Sequence, residues 1–85
     1  MDVDLWPSGL ARFADGVLEV TLGDSIRVPV RDVMEIGAKP PKLGRPSLTL
    51  RYRSGLETIG KSWWVEPQET EALRVLVEAV QAARH

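Results

Sequence analysis

Glu66-Pro67-Gln68-Glu69-Thr70-Glu71-Ala72-Leu73-Arg74-Val75-Leu76-Val77, residues 66–77, is where the hydrophobic period of this chain changes from two to 3.6. Pro67 suits a first helical position because the amide it lacks would have no partner there, and Glu69 and Glu71 fall near the positive end of the helix dipole. Glu66 is then the cap residue, a weaker choice than Ser or Asp. Leu73, Leu76, Val77, Val80 and Ala83 recur at i, i+3, i+4, i+7 spacing and leave Arg74, Glu78 and Gln81 for water. The spacing predicts an amphipathic helix over about 67–84, the largest single element of the chain.

Upstream of residue 66 the apolar residues alternate. Leu18, Val20 and Leu22 are separated by Glu19 and Thr21, and Asp15-Gly16 ahead of them is a hairpin signal, so a strand at about 17–22 follows a partner at about 10–14. Gly23-Asp24-Ser25 supplies the next turn, and Ile26, Val28 and Val30 form a third strand. Pro29 has no amide to donate and belongs at an edge, a bulge or a strand end. Val33, Met34 and Ile36 restart an extended segment after Arg31-Asp32. Between Gly37 and Ser47, three prolines and two glycines predict an exposed, comparatively mobile loop without ladder hydrogen bonds. Leu48, Leu50 and Tyr52 then face one way and Thr49, Arg51 and Arg53 the other, the clearest half-buried strand in the chain. Ser54-Gly55 turns it back into a strand at about 56–64, where Gly60 predicts a bulge or the close approach of another backbone.

A chain of 85 residues builds one core at most, so residues 1–85 are read as a single domain. Its apolar fraction of 44% and charged fraction of 27% are those of a globular protein. Without cysteine, disulfides, thiolate chemistry, zinc ribbons and iron–sulfur clusters are excluded, and stability rests on apolar burial. No apolar run exceeds three residues, and Met1-Asp2-Val3-Asp4 has the wrong charge for a signal peptide, so a cytoplasmic location is expected. The net charge of −1 hides an uneven distribution. Arg27, Arg31, Lys39, Lys42, Arg45, Arg51, Arg53 and Lys61 face only Asp32, Glu35 and Glu57 in the same stretch, giving a basic middle between acidic ends.

These patterns predict an α+β fold, mainly antiparallel β, in which five to seven short strands form a split barrel or strongly bent sheet capped by one C-terminal amphipathic helix. The runs Phe13-Ala14-Asp15-Gly16-Val17-Leu18-Glu19-Val20, Arg27-Val28-Pro29-Val30-Arg31-Asp32-Val33-Met34-Glu35-Ile36 and Ser47-Leu48-Thr49-Leu50-Arg51-Tyr52, with the helix opening at Glu66, resemble the pleckstrin-homology-like superfamily, particularly its small bacterial versions. The resemblance covers roughly residues 10 to 84 and is one of pattern. It implies that the segment from Val28 to Ile36 links two neighbouring strands, and it implies a habit of binding partners; several such bacterial domains have no known function. Phosphoinositide-binding members use basic residues around the first hairpin, where this chain has Ala14-Asp15-Gly16 and Arg12 alone, so a membrane lipid is not the expected ligand.

Groups suited to catalysis are scarce. His85 is the only histidine and the last residue, and no paired carboxylates, metal-ligand cluster, phosphate-cradling glycine loop or nucleophile elbow occurs. The expectation is a non-enzymatic interaction module without cofactor or metal, binding a protein partner or a second copy of itself. Its candidate contact residues are Trp63, Trp64 and Trp6. Three tryptophans are unusual in so short a chain, and in an extended segment one of Trp63 and Trp64 must face outward. The alternative is an anion or nucleic-acid binder in which Arg51 and Arg53, on one side of a strand, act with Lys39, Lys42 and Arg45. Nucleic acid ranks second because the basic strand face carries no aromatic residue of its own, Tyr52 pointing the other way.

Overall fold

Asp15 and Gly16 both take positive φ, 54° and 74°, the pair of left-handed residues that a two-residue hairpin turn demands. They join β2 (Gly9–Ala14) to β3 (Val17–Leu22) in the computed structural model, which describes residues 1–84 and, of Lys42, the backbone alone. A tight reversal at Gly23, φ 77°, leads into β4 (Asp24–Pro29), so Asp24 and Ser25 are already paired strand residues. β1 (Asp2–Leu5) adds to the other side of β2 and completes a four-stranded antiparallel sheet in the order β1-β2-β3-β4. This strand lies ahead of the span in which strands were expected. Its alternation is only four residues long: Val3 and Leu5 point into the core while Asp2 and Asp4 face water.

Pro29 ends β4, so Val30, expected in that strand, instead opens a single 3-10 turn, Val30–Asp32, which includes the expected break at Arg31-Asp32 and passes the chain to the second sheet. The second sheet has the order β5 (Val33–Lys42), β6 (Arg45–Ser54) and β7 (Glu57–Trp64), all antiparallel. The expected loop over 37–47 is therefore mostly ladder. Gly37, Ala38 and Lys39 pair with Thr49, Leu48 and Ser47, and the register then skips to Lys42 opposite Arg45. Pro40 and Pro41 fall in that irregularity on an edge strand, where no inward amide is required of them. The reversal is confined to Leu43 and Gly44, both at positive φ. Gly60 also departs from expectation: its register with Arg51 is regular, and a Cβ there would meet nothing within 4 Å.

Apolar rows cross each sheet on its inner face. Val3, Ala11, Val20 and Ile26 are successive neighbours in the first sheet; Ala38, Leu48 and Trp63, and then Val33, Tyr52 and Ile59, are neighbours in the second. The two sheets meet where Leu5 bridges Val65, with the Trp6 amide donating to the Trp64 carbonyl at 2.9 Å and the Glu66 amide to the Asp4 carbonyl at 3.2 Å. Among the described residues the two ladders are otherwise separate, giving a strongly bent, unclosed arrangement.

Over its inner side lies α1 (Thr70–Ala83), preceded by a 3-10 turn at Pro67–Glu69. Leu73, Leu76, Val77 and Val80 are buried as their spacing predicted, whereas Ala83 is exposed. Neither Glu66 nor Glu69 caps with its side chain; instead Glu69 Oε1 accepts the Asp4 amide at 3.2 Å. At the other end Gln81, placed in water by the sequence, also donates to the Ile36 carbonyl at 3.2 Å. The helix thus grips β1 with its start and β5 with its end. No helix among the described residues is long and apolar enough to cross a membrane.

Candidate functional site on the outer face of the second sheet

Leu5 and Val65 point inward, so by alternation their neighbours Trp6 and Trp64 stand side by side on the outside, 37% and 38% exposed. Trp63 turns inward opposite Leu48 and packs against the core. Of the three candidate tryptophans the fold brings two together and removes the third.

The same outer face carries the basic candidates. Alternation along β6 puts Arg45, Ser47, Thr49, Arg51 and Arg53 outside while Leu48, Leu50 and Tyr52 face in. Register places Ser47 beside Trp64, and the Arg45 guanidinium carbon lies 3.9 Å from the Trp6 ring centroid, a cation–π contact. Lys39 stands opposite Ser47 from β5. Lys39 and Arg45 are thus strand residues on a sheet face rather than members of a mobile loop; the side chain of Lys42 lies outside the described residues. Arg51 bonds to the Glu35 carboxylate across the β5–β6 ladder, so its charge is largely spent. Among the described residues, none of Lys39, Arg45 and Arg53 has a carboxylate partner.

Between these side chains runs a shallow groove. One part, about 380 Å³, is bordered by Glu35, Arg51 and Lys39 and floored by Thr49, Gly60 and Ser62. A second, about 270 Å³, shares Lys39 and Ser62 and continues past Ser47 to Trp64. The floor is low because Gly37 and Gly60 contribute no side chain and Thr49 folds its hydroxyl onto the Gly37 carbonyl at 3.2 Å. Gly60 therefore shapes a surface rather than a bulge. The arrangement offers an aromatic platform, hydroxyl donors and acceptors, and ammonium and guanidinium charges to an extended, anionic ligand.

The clearly perturbed titrations lie away from this face. Asp2 is held below its usual carboxylate range chiefly by its hydrogen bond from Arg12, and Glu71 by its bond from Arg74; both arginines are raised in turn. Among the described residues no three His, Cys, Asp or Glu side chains are grouped to hold a metal ion. His85, the one histidine, lies outside the described residues.

No protein-family model matches the chain, and neither does any curated protein or solved structure. The site itself therefore carries the functional reading. Glu35, Thr49, Gly60 and Ser62 were not among the candidates read from sequence, because hydroxyls and glycines gain meaning only when register aligns them. The aromatic component of the basic face was missed for a similar reason. Trp6 and Trp64 reach it through the contact of β1 with the end of β7, which the sequence does not announce.

Proposed function

We propose that this chain is a cytoplasmic, non-enzymatic interaction module of the pleckstrin-homology-like kind that binds an acidic, extended segment of a protein partner across the outer face of its second sheet. The observation that carries the reading is the presence, on one face, of two exposed tryptophan rings beside Lys39 and Arg45, cations without a carboxylate partner among the described residues. The fold family is supported by the order of four strands, three strands and a C-terminal helix lying over the bend. Absence of catalysis is supported by the groove's own charges, since Glu35 and Arg51 are engaged with each other rather than poised against a substrate.

Titration with a Glu-rich peptide containing one aromatic residue tests it. Backbone amide shifts are expected to move at Ser47, Ser62, Trp64 and Trp6, and Lys39→Glu with Arg45→Glu should abolish them in a protein that still melts normally. Unmoved amides, or equal binding by the double variant, would overturn the reading. Single-stranded nucleic acid is the second reading, favoured by the two rings on the basic face. An oligonucleotide that binds where the peptide does not, losing affinity steeply with salt, would put it first.

A further inference from the structure

β7 is an edge strand whose ladder is left open and which contains no proline. β5, the opposite edge of its sheet, is interrupted by Pro40 and Pro41 and by two register shifts. β4 closes on Pro29, and its one cation, Arg27, sits 3.5 Å from Glu19. β7 has regular pairing to β6 throughout, and among the described residues its other side is met only at Trp64. Because the Trp64 carbonyl accepts the Trp6 amide, it points away from β6, and alternation turns the amides and carbonyls of Ser62, Gly60 and Thr58 the same way. The Val65 amide confirms the phase, bonding to Pro46 of β6 at 2.9 Å. Open backbone groups at alternate residues are a template for another strand.

We infer that β7 pairs antiparallel with β7 of a second copy of this chain, about a two-fold axis at Ile59. Thr58 and Gly60 then exchange hydrogen bonds with Gly60 and Thr58 of the second copy, which is the phase that their outward backbone groups require. Ile59 meets itself at a non-hydrogen-bonded position, and Glu57 lies opposite Lys61 of the second copy twice, once on each side of the axis. Cα atoms at such positions approach to ~4.5 Å, close enough for these side chains to pair. Sliding the register by one step of the ladder either way loses both pairs. One slide sets Glu57 against Trp63 and Ile59 against Lys61; the other sets Glu57 against Ile59 and Gly60 against the turn residue Leu56.

A charge at a strand edge ordinarily discourages pairing with other strands. Here Lys61 ends the inner row of Ile36 and Leu50 as an exposed cation, and Glu57 lies two positions beyond Ile59 on the same side. A strand that sets an acid against Glu57 or a base against Lys61 is repelled and a neutral one gains nothing there, whereas a copy of β7 pairs both, so the same residues select the partner. The result is a six-stranded sheet whose two outer grooves lie on one continuous face. The pairing stands on the β7 edge and not on the ligand face, so either proposal can fail without the other.

Sedimentation equilibrium over about 10 µM to 1 mM chain is the test. The unmodified protein should dimerise with concentration. Glu57→Lys and Lys61→Glu, each alone, should weaken dimerisation by about tenfold or more, since each replaces two attractions by two repulsions. An equimolar mixture of the two variants should dimerise again, because every facing pair is then opposite in sign, and the double exchange in one chain should do the same. Lys39→Glu with Arg45→Glu should leave dimerisation unchanged. A monomer at every concentration, a dimer indifferent to the single reversals, or a mixture that stays monomeric would each overturn the proposal.

Discussion

Leu76→Ala and Val75→Ala, adjacent changes on α1, separate a helix that plugs the core from one that merely lies nearby. Leu76 is 0% exposed and lies in the stripe of Leu73, Val77 and Val80, on a helix gripping β1 and β5 at its two ends. Truncating a buried Leu removes its transfer energy and leaves a cavity, together ~2–5 kcal/mol. A domain of 85 residues has about 4–13 kcal/mol in total, so a loss near the middle of that range takes a large share. At ~4–8 °C per kcal/mol, a loss of about 3 kcal/mol lowers the melting midpoint by roughly 12–24 °C. Val75 is 37% exposed, and alanine is the better helix former, so Val75→Ala should stay within ~0.5 kcal/mol of the unmodified protein. Thermal and urea unfolding followed by circular dichroism measure both. Equal losses at the two positions, or a silent Leu76→Ala, would refute the inward stripe and with it the helix as closure of the bent sheet.

Glycine substitutions should divide by backbone conformation. Gly16→Ala places a side chain at φ 74° and should cost about 1 kcal/mol in urea unfolding, whereas Gly60→Ala meets open space and should leave stability within ~0.5 kcal/mol while raising the groove floor and weakening peptide binding. The Asp2 carboxyl should titrate below its ordinary 3.8, because the Arg12 guanidinium donates to it at 2.9 Å. With the folded value depressed, the pair stabilises the protein above pH 3.8 and that contribution is lost as pH falls through the folded midpoint. Carbon-detected NMR should find the midpoint returning toward 3.8 in Arg12→Gln; an unchanged midpoint would deny the pair a role.

Where burial and period coincide, the structure was legible in the sequence. The hairpin at Asp15-Gly16, the inward set of Leu48, Leu50 and Tyr52, and the stripe of α1 each follow from one local rule. Misreadings arose where a local rule depends on position within a sheet. Prolines are excluded from a regular interior ladder, yet Pro40 and Pro41 lie on an edge and Pro46 sits at the start of the central strand β6 beside the register shift, and such positions are properties of topology rather than of the residues themselves. The site was legible as two separate halves, one aromatic and one basic. Their union needed the long-range bridge from Leu5 to Val65, which brings residues sixty apart into register and has no signature in either segment.

The two sheets differ in how their outer charges are used, and that difference argues for where this molecule meets others. On the first sheet Arg12 is held by Asp2 and Arg27 by Glu19, each cation answered by a carboxylate on the neighbouring strand. On the helix Arg74 is answered by both Glu71 and Glu78. The named cations of these surfaces are therefore already paired, which leaves them less to offer an acidic partner. On the second sheet Arg51 is answered by Glu35, while among the described residues Lys39, Arg45 and Arg53 have no carboxylate partner and share their face with two tryptophan rings. The ring surface left in water is what a partner's apolar side chain would cover, and the cations beside it are placed to meet that partner's acidic groups. Charge patterning thus leads to the same face as the geometry of the groove, and a reversal of Arg12 to Glu, which breaks a pair on the first sheet, should leave peptide binding unchanged while Lys39→Glu reduces it.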